Sequence, residues 1–423
     1  MVSPAAAAYG KVTRRLIPFL FVCYVVAYLD RVNLGFAKLE MMEALGMSDT
    51  VYGIGAGIFF LGYFLFEVPS NLILHRVGAR IWIGRIMISW GLISGAMVWV
   101  RSPATFYVLR FCLGLAEAGF FPGIIYYLTT WYPSPRRARI IALFMTGIPI
   151  SSVVGGPISG GILHACTGAG RLAGWQWLFL LEAIPAVVLG VTALFYLKDG
   201  IGEVAWLTAE EKAFLRSELS TDAPVGPVPK AGAAFRNPQT WLAIVVYFPF
   251  CAGLYGVGFW LPTLIKSAGV ADPFRIGLLT AIPWAVGAVA MVLNGRSSDR
   301  HNERRWHMAV PAFLCGLGLI GGALAGQHLL ATMATLTVAT LGITAGLPQV
   351  WTLPRAVLSG AAAAAGIAFI NSAGNLGGFL GPLLIGWIRD LTHSTAAGLY
   401  LLAALMFVGG VCALLFPKAA ARP

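Results

Sequence analysis

The sequence predicts an all-α membrane protein of twelve transmembrane helices in two related six-helix halves, on three observations. The first is solvent preference: 58% of the 423 residues are hydrophobic and 11% are charged, with a mean hydropathy of +0.79. So little charge cannot clothe a soluble chain of this size, which makes lipid the solvent. The second is run length. A span needs about 20 mostly apolar residues, and twelve runs qualify, at roughly 16–37, 51–74, 81–100, 104–127, 140–163, 175–197, 241–265, 275–294, 308–326, 329–350, 361–388 and 396–416. The third is an internal repeat. GMSDTVYG (46–53) matches GVADPFRIG (269–277), LHRVGAR (74–80) matches SDRHNER (298–304), and Gly156-Pro157 matches Gly381-Pro382, in order and at an offset of 223–225.

Taken in order, the first run follows Lys11, Arg14 and Arg15, yet it is too long for a signal-peptide core and carries Asp30 and Arg31. It reads as a retained first span. Neighbouring runs lie a few residues apart and fold as hairpins. Between 198 and 238 hydrophobicity collapses into an acidic and basic stretch followed by the Pro-rich TDAPVGPVPK. Thr208 and Glu211 there form a capping-box pattern at a short helix. The chain therefore divides into 1–197, a cytoplasmic linker 198–238, and 239–423. Pro122, Pro149 and Pro348 are expected to bend their spans. Gly156/Gly160 and Gly374/Gly378 fit the spacing that lets helices approach closely.

The net charge of +12 is topology rather than a nucleic-acid surface. Assigned to the nearer membrane face, 21 of the 29 Lys and Arg fall with the N-terminus, the even-numbered loops and the C-terminus. The odd-numbered loops hold six, Lys38 among them, and Arg31 and Arg110 lie within spans. The positive-inside rule then places both termini in the cytoplasm. Six scattered cysteines and six histidines show neither disulfide nor metal-ligand spacing, and no cofactor is expected. With no nucleophile–base pair and little chain outside the membrane, an enzyme is not expected either.

Charge at bilayer depth is expensive, about 2.5–3.5 kcal/mol per group on insertion scales, and so marks function. Asp30 and Arg31 in span 1 and Arg110 and Glu117 in span 4 stand out, all in the first half. Arg110 and Glu117 are seven residues apart and share a helix face. Asp30 and Arg31 are adjacent and point about 100° apart, so one is expected to face a cavity while the other pairs with span 4. The second half offers neutral groups instead: Tyr247, Tyr255, Trp260, Gln349, Trp351, Asn371 and Asn375. Glu67 and Glu182 read as structural. Parallel repeats place a solute site between the halves near the midplane.

Gly295, Asp299, Arg300, Arg304 and Arg305 after span 8, echoed by Arg76, Gly78 and Arg80 after span 2, resemble the signature loop of the major facilitator superfamily. The first copy has His75 where that family usually has Asp. YLDRVNLGFA (28–37), RFCLGLAEAGFFPG (110–123) and WYPSPRRAR (131–139) resemble its anion:cation symporter family, and FLGYFLFEVPSNLILHRVGAR (60–80) is most similar to the tartrate and 4-hydroxyphenylacetate permease branch. The resemblance implies the major facilitator fold, a monomer in a bacterial inner membrane, and symport of a small organic anion, such as tartrate or a related hydroxy acid, with a proton or sodium. It implies that Arg31, Tyr63 and Arg110 line the anion site and that Asp30 and Glu117 carry protons, while Arg76, Arg80, Asp299 and Arg300 gate. Gln349, Trp351, Asn371 and Asn375 would clamp the rest of the substrate. An anion exchanger or facilitator on the same fold, or a non-transporting nutrient sensor, are the competing expectations.

Overall fold

Apolar runs become helices because lipid leaves each backbone amide no partner except a carbonyl of its own segment. The structure, a computed structural model, describes residues 4–221, 236–351 and 360–416; residues 222–235 of the expected linker lie outside them. The first half runs α1 Pro4–Leu45, α2 Asp49–Val77, α3 Ala79–Ala96, α4 Pro103–Glu117, α5 Phe120–Thr129, α6 Ser134–Met145, α7 Gly147–Cys166 and α8 Gly174–Tyr196. A short α9, Ala209–Thr221, follows, and then α10 Pro238–Ser267, α11 Pro273–His301, α12 Trp306–Leu324, α13 Leu329–Val350, α14 Gly360–Thr392 and α15 Ala396–Leu414. Among the described residues eleven helical stretches are long and apolar enough to cross a membrane, with α4–α5 and α6–α7 each counting as one. The 33-residue α14 completes twelve.

Spans 4 and 5 are interrupted where prolines demand it. Pro122 has no amide hydrogen, and its ring clashes with the carbonyl four residues back, so the helix stops at Ala118 (ψ 132°) and restarts through Gly119 at φ 85°. The released Ala118 carbonyl accepts from Ser70 Oγ at 2.6 Å. Pro149 likewise sits in the first turn of α7, just past the α6–α7 junction. The capping box forms as expected: Glu211 Oε2 accepts from the Thr208 amide at 2.9 Å, and Thr208 Oγ1 from the Glu211 amide at 3.2 Å. Lys11 Nζ to Glu211 (2.8 Å) then docks α9 on α1.

The repeat is legible in the packing. α7 lies along α11, α2 along α14, and α1 against α10. In repeat terms span 5 meets span 8, span 2 meets span 11, and span 1 meets its own counterpart. Backbones nearly touch at these seams. A Cβ on Gly156 would come within 2.8 Å of the Gly277 carbonyl, and one on Gly53 within 2.7 Å of the Pro382 carbonyl. Both copies of the repeated loop cap a helix: Ser48 Oγ accepts from the Val51 amide, and Asp272 from the Arg275 amide at 3.0 Å. That amide, helped by His164 at 2.7 Å, holds the Asp272 carboxyl below the usual range.

The face away from the termini is sealed between the bundles by charge. Asp390 of α14 accepts from the first amides of α2, Asp49 at 3.1 Å and Thr50 at 2.7 Å, and Arg389 pairs with the Asp49 carboxylate at 3.2 Å. Lys38 joins this cluster, 2.8 Å from Asp49 and stacked 3.0 Å from the centre of the Trp260 ring. Placing Lys38 in a loop was therefore incorrect. α1 continues to Leu45, and Lys38 is buried on it at 5% exposure. Trp260 belongs to this seal as well.

Candidate functional site

Between the bundles lies a cavity walled by α1, α2, α4–α5 and α7 on one side and α10, α13 and α14 on the other. It extends toward the terminus-bearing face, reaching Trp351 just past the end of α13. Arg31, Tyr63, Glu117, Trp351, Asn371 and Asn375 all line it, as do Tyr247 and Tyr255.

At its centre Arg31 Nη2 donates to Glu117 Oε1 at 2.5 Å. The cation sits 4.5 Å from the centre of the Tyr28 ring and 5.3 Å from that of Phe59. Glu117 is the last residue of α4, so the guanidinium also faces the negative end of that helix. The pair is incomplete. Arg31 Nε and Glu117 Oε2 are buried without a partner among the described residues, and buried polar atoms at a cavity are ordinarily satisfied by protein, water or a ligand.

The neighbouring charges go elsewhere. Asp30, pointing away from Arg31, accepts from Ser94 Oγ of α3 and from Asn33 at 3.3 Å. Arg110 is 1% exposed and donates to the carbonyls of Gly55 at 3.1 Å and Ala56 at 3.4 Å on α2. Neither lines the cavity, and the two are not ion-paired with each other. The expectation that Arg110 lines the anion site is not met in this conformation, because α2 supplies two carbonyl acceptors before the cavity can. Gln349 also lies off the lining, accepting from Arg304 Nη1 at 3.5 Å.

The signature-loop residues stay within their own bundles. Arg80 binds Asp199 through its amide at 2.8 Å and its Nε at 3.6 Å, and Asp299 pairs with Arg304 at 2.7 Å. Arg76 and Arg300 are exposed. What the sequence reading missed is the set of partners that Glu67 finds. Its two carboxylate oxygens accept from Asn371 Nδ2 at 2.9 Å and Ser372 Oγ at 3.3 Å, linking α2 to α14. A carboxylate seven residues inside the end of an apolar run was visible, but its partners on span 11 were not. Glu182, 3% exposed, accepts from Ser159 of α7 at 2.6 Å.

Comparison with known proteins agrees with this architecture. A protein of Agrobacterium vitis, provisionally named a tartrate transporter, is 49% identical over 97% of this chain and 94% of its own length. A quinolone resistance transporter of Acinetobacter baumannii is 43% identical over 94% of this chain and 92% of its own. The crystal structure of a D-xylose–proton symporter superposes with a TM-score of 0.76 at 13% identity, over 96% of this chain and 99% of the other, which establishes the fold. The profile of the Major Facilitator Superfamily matches residues 20–382. With twelve spans among its described residues, in two bundles around a central cavity, the chain belongs to the Major Facilitator Superfamily and is a multi-pass membrane transporter, not an enzyme.

Proposed function

We propose that the protein imports a small organic carboxylate together with a proton, in a bacterial inner membrane with both termini cytoplasmic. The observation that carries this reading is the half-satisfied Arg31–Glu117 pair on the cavity wall. A guanidinium stays charged throughout any cycle and holds a carboxylate through two parallel hydrogen bonds. Glu117 and an incoming carboxylate compete for that one cation. Two carboxylates cannot share a dry site while both are ionised, so the anion displaces Glu117 when Glu117 takes a proton, and proton and anion load together. Opening to water on the other side lets both leave. Relatives named for transport, two of them for tartrate, support an organic-anion cargo. The basic residues at the terminus-bearing face support the orientation, which makes the described state open to the cytoplasm.

The test is substrate-dependent acidification of a trapped pH dye in proteoliposomes, with protein-free liposomes as control and a carboxylate panel outside. Import with the proton acidifies the lumen. Carboxylate entry without acidification would leave an exchanger or facilitator as the reading. Arg31→Ala removes the anchor and should weaken carboxylate binding by about 10–100-fold, the worth of charge-assisted hydrogen bonds, while eluting as folded protein. Wild-type affinity in Arg31→Ala would show that the anion is held elsewhere.

A further inference from the structure

One charge within a span lies away from both the cavity and the seams between the bundles. Arg85 sits inside α3, six residues from its start at Ala79 and so about 9 Å along the helix axis. Ile81, Arg85, Ile88 and Leu92 follow at spacings of four, three and four, which puts them on one stripe of the helix. Ile81 is 46% and Leu92 61% exposed, while Ile83, Ile86, Met87 and Trp90 are buried on the opposite face. The stripe therefore faces lipid, and Arg85 stands in it.

A cation on such a stripe is costly unless it meets a counter-charge, and the described residues supply none. Arg85 Nε and Nη2 find no acceptor among them, and Nη1 reaches Ser89 Oγ at 3.5 Å, a long bond to a neutral group. Arg80, one turn nearer the loop, has Asp199 instead. The Arg85 guanidinium stacks 3.8 Å from the centre of the Trp82 ring, and that indole is fixed by donating to Ser70 Oγ of α2 at 2.9 Å. Helix side chains lean toward their N-terminus, which for α3 is the terminus-bearing face. A long arginine there keeps its head at the level of the phospholipid phosphates. We propose that Arg85 and Trp82 form a binding site for one anionic phospholipid of the leaflet at that face. The guanidinium takes the phosphate through charge-assisted hydrogen bonds, the indole packs beneath the glycerol, and an acyl chain runs along Ile88 and Leu92. A zwitterionic lipid is disfavoured, because its ammonium travels with its phosphate and leaves the arginine's charge uncompensated.

The test is native mass spectrometry of the full chain in detergent, titrated with phosphatidylglycerol or phosphatidylethanolamine of matched acyl chains. The first phosphatidylglycerol should bind about fivefold tighter than the first phosphatidylethanolamine, the worth of one arginine at an anionic surface. Arg85→Gln should weaken it by about tenfold through the lost charge-assisted pair, and Arg85→Lys, which keeps the charge, by less. Arg14→Gln, at an exposed arginine near the start of α1 on the same face, should change it by less than about twofold. Parental binding in Arg85→Gln overturns the site. An equal loss in Arg14→Gln overturns it in favour of diffuse attraction to a basic surface, and phosphatidylethanolamine matching phosphatidylglycerol overturns the headgroup. Displacement of the lipid by millimolar inorganic phosphate would make this a site for free anions instead. Arg85→Gln touches no buried partner, so in lipid-free detergent it should melt with the parent chain; early melting there would make Arg85 a structural residue and sink the proposal.

Discussion

Asp390→Ala should unlock the sealed face. The Asp390 carboxylate accepts two hydrogen bonds, at 3.1 and 2.7 Å, from the first amides of α2, joining a helix of one bundle to the start of a helix in the other. Charge-assisted bonds are each worth about 1.5–3 kcal/mol, and a carboxylate at a helix N-terminus gains from the dipole as well. Two terms reduce the loss. The freed amides lie at a helix end that water reaches, and Arg389 still holds Asp49 at 3.2 Å. A net of about 2 kcal/mol remains, a factor of about 30 in the equilibrium between the two faces, at 1.4 kcal/mol per tenfold. Spin labels on the exposed Glu43 and Ser394, measured by double electron–electron resonance, read that equilibrium directly. The variant should populate a longer distance that the parent chain shows weakly or not at all. An unchanged distance distribution in a folded Asp390→Ala would refute the claim that this cluster holds the face shut.

Glu117→Gln keeps the hydrogen-bonding shape but cannot titrate. Carboxylate binding, which in the parent chain should strengthen as pH falls because a proton must load, should become nearly independent of pH. Exchange should survive, and accumulation driven by a pH gradient should be lost. Accumulation that persists would make Glu117 structural and pass the role to Asp30. Gly119→Ala places a side chain at φ 85°, a conformation that costs about 1–2 kcal/mol without glycine, and drives its Cβ into Ser70. Thermal unfolding in detergent should begin several degrees lower, and a parental melting curve would contradict the strain.

The spans, the repeat and a charged link between the first and fourth spans were readable, because each follows from period, length or the expense of charge in lipid; that Arg31 both lines the cavity and pairs with Glu117 was not. The destinations of other side chains were not. That Arg110 and Glu117 share a face is true of an isolated helix. It says nothing of which neighbour is nearer at each level, and at Arg110 that neighbour is the α2 backbone. Lys38 was misplaced because a hydropathy window ends where charge begins, whereas α1 runs on, with its lysine met by Asp49 and Trp260. The Glu67 link to Asn371 and Ser372 spans about 300 positions of sequence, which no local pattern reports.

The break at Ala118–Gly119 has a mechanical consequence. An intact helix bends only by straining its ladder of hydrogen bonds, and so transmits a push along its whole length. Here Pro122 offers no rung, and the Ala118 carbonyl is already given sideways to Ser70. α5 is therefore coupled to α4 as a door to its frame. A shift of α5 would move Phe120 and Phe121 at the cavity wall without bending α4, whose last residue, Glu117, is held by Arg31.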